Sequence, residues 1–348
     1  MSLSKNYLYQ AGATQVRWAS ELFSTSILLF CGLILYSANL CAAQSLPHND
    51  LLTKPGDVIQ IKLSELHPTQ ITVGKLQIAG DLADYASDSK HLFNDLCKVQ
   101  GAGKLAKYSL SSTPKDPTSY TCKQAIGTNK ADMNTVDIGP MGKLYLTDGH
   151  HAFNSFWDAS GGGGDVTLSV LVGQNISRDN DGTLFTQAQF EQQMTELKHF
   201  LPIDAEGKPI TFSQLPATLG TSAFQDDPYR SILYYLRGIS YDKSDKNLNP
   251  ETGKPYKEIP FLEFYWGQLL RSKMDLKRYN LHKQDDYIKA LEDAATLMVN
   301  VPKQQLIGHS GQTARALGQM NSIDEKRLDK LAKPDSKLAK ALNYQSTH

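Results

Sequence analysis

Residues Val58 to Leu63 alternate apolar and polar positions with a period of two, which predicts a half-buried strand. Val73, Leu76, Leu82 and Tyr85 follow a loose helical period, and Leu92, Phe93, Leu96 and Cys97 mark a second helix. Residues 110–134 are rich in Ser, Thr, Pro, Lys and Asp and are expected to be an inserted loop. Thr135 to Ile138 and Lys143 to Leu146 are short strands joined across Gly139 to Gly142, a connection of hairpin length. A helix then starts near Ala152, the glycines Gly161 to Gly164 end it, and Val166 to Val172 returns as a strand. The order of strand, tight turn, helix and strand describes a compact α/β (α+β) unit over residues 57–180.

Beyond residue 184 the pattern becomes mainly helical. Phe190, Met194 and Leu197 line one face of a helix opening near Thr186. Asp226, Asp227 and Pro228 have the chemistry of a helix start, with an Asp cap and proline in the first turn, and Ile232, Leu233 and Leu236 follow. Residues 240–258 are polar and are expected to be an exposed loop. Phe261 to Leu270 and Tyr287 to Met298 continue the helical region, which runs over 184–300. Residues 301–348 alternate charge with Leu and Ala, predicting a helical tail that frays at its end.

The apolar run Ser26 to Leu40 changes what precedes this pattern. Lys5 and Arg17 stand upstream, and Cys41, Ala42 and Ala43 supply small residues before a polar chain, so residues 1–43 have the parts of a cleaved signal peptide. A membrane anchor usually needs about 20 apolar residues. Leu40 and Cys41 hint at a lipid anchor, the lesser alternative because Asn39 and Leu40 are bulky. The expectation is a periplasmic or secreted protein with no stable membrane span after cleavage. The two cysteines that remain, Cys97 and Cys122, are then a natural disulfide candidate, which would pin the 110–134 excursion to the preceding helix, the alternative being two buried free thiols.

Composition narrows the partners. The chain of 348 residues holds 36 Lys+Arg against 36 Asp+Glu. A neutral chain lacks the basic surplus behind sequence-independent binding to long nucleic acid, although a local basic groove stays open. With 40% hydrophobic and 21% charged residues, the composition excludes disordered and polytopic membrane classes.

Asp148, Gly149, His150 and His151 form the sharpest chemical signal. A glycine lets the chain turn abruptly into a helix, whose first amides are unpaired and carry partial positive charge. Such an end suits an anion, and two imidazoles could add charge, transfer a proton or bind a metal. Asp148 could orient one imidazole or, with His150, coordinate a divalent cation. The plain alternative is that Asp148 caps the helix and the histidines are polar turn residues.

Leu144 to His151 (LYLTDGHH) resembles the signature of the ParB-like nuclease family, the distant branch of the ParB/sulfiredoxin superfamily. His67 to Gln70 (HPTQ) with Val73 and Gly74, Asp226 to Ser231 (DDPYRS), and Glu263 to Trp266 running to Arg271 match in order, so the resemblance spans roughly residues 57–275. It implies a ParB/sulfiredoxin-like N-terminal domain followed by a mainly helical C-terminal half, and a turn that holds phosphates. Gln70 resembles the glutamine that lines the nucleotide pocket in this superfamily. The ParB turn usually ends in two arginines and the sulfiredoxin turn carries a reactive cysteine, so His150 and His151 make sulfinic-acid reduction an unfitting reading. Export also argues against chromosome partition and against a steady ATP or CTP supply.

Outlying residues have two readings each. Asp226 and Asp227 are metal ligands or cap a helix. Arg230 clamps a phosphate or, by preference, pairs with Asp227. Glu263 and Arg271 would share a helix face toward a cleft, and Trp266 is a stacking platform or core. Catalytic candidates are therefore Asp148, His150 and His151, with Gln70, Gly149, Asp227, Arg230, Glu263 and Arg271 around a phosphate. The leading function is a phosphoester hydrolase acting on a phosphorylated small molecule or nucleic acid, with participation of a divalent metal ion left open. Alternatives are a non-catalytic nucleotide or anion binder, a partner-docking secreted protein, and an effector phosphotransferase. Oligomeric state is not written in the pattern.

Overall fold

The computed structural model describes residues 52–244, 247–256 and 259–348. The leader-like segment 1–43 lies outside them. Among the described residues no helix is long and apolar enough to cross a membrane.

A mixed sheet of five strands carries the first half. In chain order they are β1 (Val58–Lys62), β2 (Leu66–Pro68), β6 (Thr135–Ile138), β7 (Leu144–Leu146) and β8 (Thr167–Asn175). Their spatial order is β1-β8-β6-β7-β2. β1 runs antiparallel to β8 and β7 antiparallel to β6, whereas β6–β8 and β2–β7 are parallel. Two smaller pairs complete the strands. β3 (Thr72–Val73) lies parallel to β9 (Gln225–Asp226), and β4 (Leu105–Lys107) antiparallel to β5 (Thr121–Cys122).

The predicted first-half elements form because their apolar positions meet one core. Ile61, Val136, Leu146, Leu168 and Val170 from the sheet pack with Phe153 and Phe156 of α3 (His150–Asp158). The same core takes Ile78 and Tyr85 of α1 (Lys75–Ser87) and Leu96 of α2 (Lys90–Val99). Cys97 on α2 is bonded to Cys122 on β5, which ties the intervening excursion to the helix.

The second half is helical only in part. After α4 (Gln187–Glu196), residues 197–224 are turns and single-turn helices, stabilised by the aromatic cluster of Tyr145, Phe190, Phe200 and Phe212. Helical periodicity cannot register such packing. α5 (Pro228–Leu236), α6 (Leu262–Lys273) and α7 (Gln284–Asn300) then form a second core around Trp266, Tyr235 and Leu291. α8 (Glu325–Leu331) and α9 (Lys337–Thr347) close it, α9 lying along α1 with Leu338 and Ala341 buried. The polar stretch after residue 240 is not wholly exposed. Tyr241 is buried with its hydroxyl donating to the Leu233 carbonyl, and Asn249 is buried with its side-chain amide donating to Ala316.

Candidate functional site

β7 ends at Leu146, and the chain must reverse sharply to start α3 at His150. Gly149 makes this turn at φ +94°, where a Cβ would also strike the Asn134 side chain. Among the described residues no side chain caps α3, and the Asp148 carboxylate accepts the Gly149 amide. The Asp148 carboxylate is exposed at the lip of a cavity of about 470 Å³ that Gly149, His150, His151 and Ala152 also line.

Both signature imidazoles are buried and already engaged. His150 Nε2 accepts the Thr69 amide at 3.1 Å and His151 Nε2 accepts the Gly74 amide at 3.0 Å. An accepting Nε2 puts the ring proton on Nδ1, so both rings are neutral in this geometry. Burial, reinforced by Arg230, pushes His150 down to about 3, and burial with Arg230 and Arg237 holds His151 well below the ordinary range. The two rings therefore fix the β2–β3 connection against α3. Gln70, on that connection, lines the cavity and donates its side-chain amide to the Thr72 carbonyl.

Across the cavity stands Glu263 in the first turn of α6, fully buried. Its Oε2 lies 2.7 Å from Arg230 and 2.6 Å from Lys243, and its Oε1 accepts from Arg237 Nε at 2.6 Å. Burial alone would raise this carboxyl, but the three cations outweigh it and hold its pKa well below the usual range. Burial lowers Lys243, against the pull of Glu263. Lys198, Arg230, Arg237 and Lys243 line the cavity against Asp148 and Glu263, so the lining keeps a positive surplus beside the α3 amides.

The remaining wall comes from the end of α4. The His199 amide bonds Met194 and the Lys198 amide bonds Thr195, the paired bonds of a Schellman turn, with Lys198 left-handed at φ +58°. This turn brings Lys198 and His199 to the cavity. His199 Nδ1 lies 2.6 Å from Oδ2 of Asp137, a fully buried residue on β6. β8 bulges opposite Asp137, and the Gln174 amide released there donates to Asp137 Oδ1 at 2.9 Å.

Of the sequence candidates, Gln70, Asp148, Gly149, His150, His151, Arg230 and Glu263 meet at this cavity. Asp227 and Arg271 do not line it. Asp227 caps α5 through the Tyr229 and Arg230 amides, and Arg271 pairs with it at 2.9 Å while donating to the Ala205 carbonyl. The expected Arg230–Asp227 pair is thus replaced by Arg230–Glu263 and Arg271–Asp227. Positions eight apart on a helix are displaced by about 12 Å and rotated by about 80°, so Glu263 and Arg271 reach different surroundings. Asp226 Oδ1 accepts the Lys75 amide, and Trp266 is core, its indole N–H donating to Leu317. Lys198, His199, Arg237, Lys243 and Asp137 were not singled out by sequence. A charged residue between Val136 and Ile138 in a buried strand was the one available signal.

Among the described residues no group of three or more His, Cys, Asp and Glu is placed to hold a metal ion. The lining suits an anion better than a divalent cation, since both histidine Nε2 atoms accept from the backbone and Glu263 is held by three cations.

A profile of the family described as "Putative ParB-like nuclease" matches residues 59–272. Among solved structures, protein Atu1540 from Agrobacterium tumefaciens is similar at 20% identity and a TM-score of 0.46, covering 72% of this chain and 95% of that one. No curated protein matches the chain.

Proposed function

This chain belongs to the ParB-like nuclease family, and we propose that it binds a phosphorylated ligand in the Asp148–His151 cavity and hydrolyses its phosphoester there. The observation that carries this reading is the joining of the uncapped α3 start to Lys198, Arg230, Arg237 and Lys243 in one cavity. Fixed amides and partly desolvated cations bind phosphate oxygens strongly and need little reorganisation as charge shifts during displacement. A cavity of about 470 Å³ suits a small phosphorylated molecule or a nucleic-acid end, and the neutral chain supplies no long basic track.

In this reading Gly149, Arg230 and Lys243 hold the phosphate, Gln70 borders it, and Asp148 stands at the lip. His150 and His151 shape the cradle through their bonds to Thr69 and Gly74. The signal-like leader would place this chemistry in the periplasm or outside the cell. The engaged state of both histidines favours a second reading, a phosphate or nucleotide binder without turnover.

Calorimetry with inorganic phosphate and nucleoside monophosphates, alongside hydrolysis of bis(p-nitrophenyl) phosphate with and without divalent metals, separates the two. Arg230→Gln is expected to weaken phosphate binding about tenfold or more, consistent with loss of a charge-assisted hydrogen bond. Wild-type protein that binds phosphate without turnover supports the second reading. Absence of both overturns the site.

A further inference from the structure

We propose that His199, oriented by Asp137, is the general base of the phosphoester hydrolysis assigned above, on which this inference rests. The dyad is a built arrangement. Asp137 is fully buried, and a buried carboxylate needs partners. It has two. Oδ1 accepts the Gln174 amide that the β8 bulge frees, and Oδ2 faces His199 Nδ1 at 2.6 Å. Gly173 keeps this place open, since a Cβ there would come within 2.9 Å of Asp137 Oδ1.

A carboxylate on Nδ1 fixes the tautomer and leaves Nε2 as the acceptor. His150 and His151 share this tautomer, but their Nε2 atoms are consumed by backbone amides. Its side chain keeps 25% of its exposure and borders the cavity, so the ring combines a buried anchor with access to ligand and water. The left-handed Lys198 just before it is a second sign of construction. A non-glycine residue held there is a strained choice of the sort that gathers at functional sites.

The step is an ordinary hydrolysis. His199 Nε2 takes a proton from water as the water oxygen bonds to phosphorus. The bond from phosphorus to the leaving oxygen breaks with its electron pair on that oxygen, and the imidazolium proton passes to it through solvent. His199 is the catalytic residue and Asp137 a positioning residue. The charged groups that share the cavity with His199 are Lys198, Asp148, Arg230, Arg237, Lys243 and Glu263.

The test uses purified protein, bis(p-nitrophenyl) phosphate between pH 5 and 9, and inorganic phosphate as a binding probe. His199→Gln should lower turnover by about 10²- to 10⁴-fold while phosphate still binds. His199→Gly should behave alike and regain rate when imidazole is added. Asp137→Asn should present a donor to the ring, favour the other tautomer and remove the rising limb of the pH–rate profile. Thermal unfolding and phosphate binding verify that each variant is folded. A His199→Gln protein within tenfold of wild type, or a folded His199→Gly protein that imidazole leaves silent, overturns the proposal. Wild-type protein that binds phosphate but hydrolyses nothing also overturns it and leaves the binding reading standing. Wild-type protein that does neither removes both.

Discussion

His151 Nε2 accepts the Gly74 amide proton at 3.0 Å, and His150 Nε2 holds the Thr69 amide in the same way at 3.1 Å. The most conspicuous residues of the sequence are thus acceptors for buried backbone, joining the start of α3 to the chain entering α1. Removing either ring leaves a buried amide unpaired, which costs about 1–3 kcal/mol. His150→Ala and His151→Ala are each expected to lower the urea midpoint by a corresponding amount before any effect on ligand is considered. A midpoint unchanged in both variants would show that these bonds do not support the fold.

The same bonds set a pH dependence. Burial and Arg230 lower His150 from 6.5 to about 3, so the folded chain keeps it neutral where the unfolded chain takes up a proton. Its contribution is fully present above pH 6.5 and is lost as pH falls toward about 3. Asp81, raised by burial from 3.8 to about 7 with Ser155 donating to it, has the opposite slope over much of that window. In an Asp81→Asn background, stability measured by urea should therefore fall more steeply between pH 6.5 and 4 than in wild type. An equal or shallower fall would refute the sign.

What the sequence disclosed and what it hid follow from range. β1, α1, β6, β7 and α3 were legible because period and turn chemistry act over a few residues, and Pro228 behind Asp227 marked the start of α5. The lip at Asp148 to His151 was legible for the same reason. Lys243 was hidden in a polar stretch that periodicity reads as solvent loop, and its place beside Glu263 depends on a buried Tyr241. Asp137 and His199 are 62 residues apart, and only the packing of α4 beyond the sheet brings them together. Arg271 shows the converse, since a helix-face argument placed it at the cavity and the rotation along α6 takes it to Asp227.

Buried Glu263 keeps three partly exposed cations together at the cavity wall. Glu263→Gln should remove the compensating charge and leave Arg230, Arg237 and Lys243 repelling one another, at a cost of about 3–5 kcal/mol, as for breaking a buried pair. Phosphate or sulfate should restore part of this by taking the place of the carboxylate. Thermal shift assays should then show a larger rise in Tm with added phosphate for the variant than for wild type. Equal rises would mean that the cations do not present themselves to the cavity anion.

Reduction of Cys97–Cys122 opens a loop with a sequence separation of 25 residues. In the chain-entropy account this is worth about 3.5 kcal/mol. A Cys97→Ala/Cys122→Ala protein should lose about that much stability in urea. It should keep phosphate affinity within a few-fold, because neither residue borders the cavity. A large loss of binding in a protein that remains folded would place the excursion 110–134 nearer the ligand than the structure does.

Lys198 offers a cleaner separation of stability from function. It stands where a Schellman turn usually has glycine, at φ +58°, and its side chain borders the cavity. A left-handed conformation costs a residue with a Cβ about 1–2 kcal/mol, and glycine escapes that penalty while losing more chain entropy on folding. Lys198→Gly should therefore be neutral or stabilising by up to about 1 kcal/mol. The substitution also removes one of the four cations of the cavity, so phosphate affinity should fall several-fold and the loss should shrink as salt is raised. His282→Ala, outside the cavity lining, should change neither quantity. Urea unfolding and phosphate calorimetry at two ionic strengths read both effects. A Lys198→Gly protein that is more stable and binds phosphate as before would show that the strained lysine serves something other than the anion.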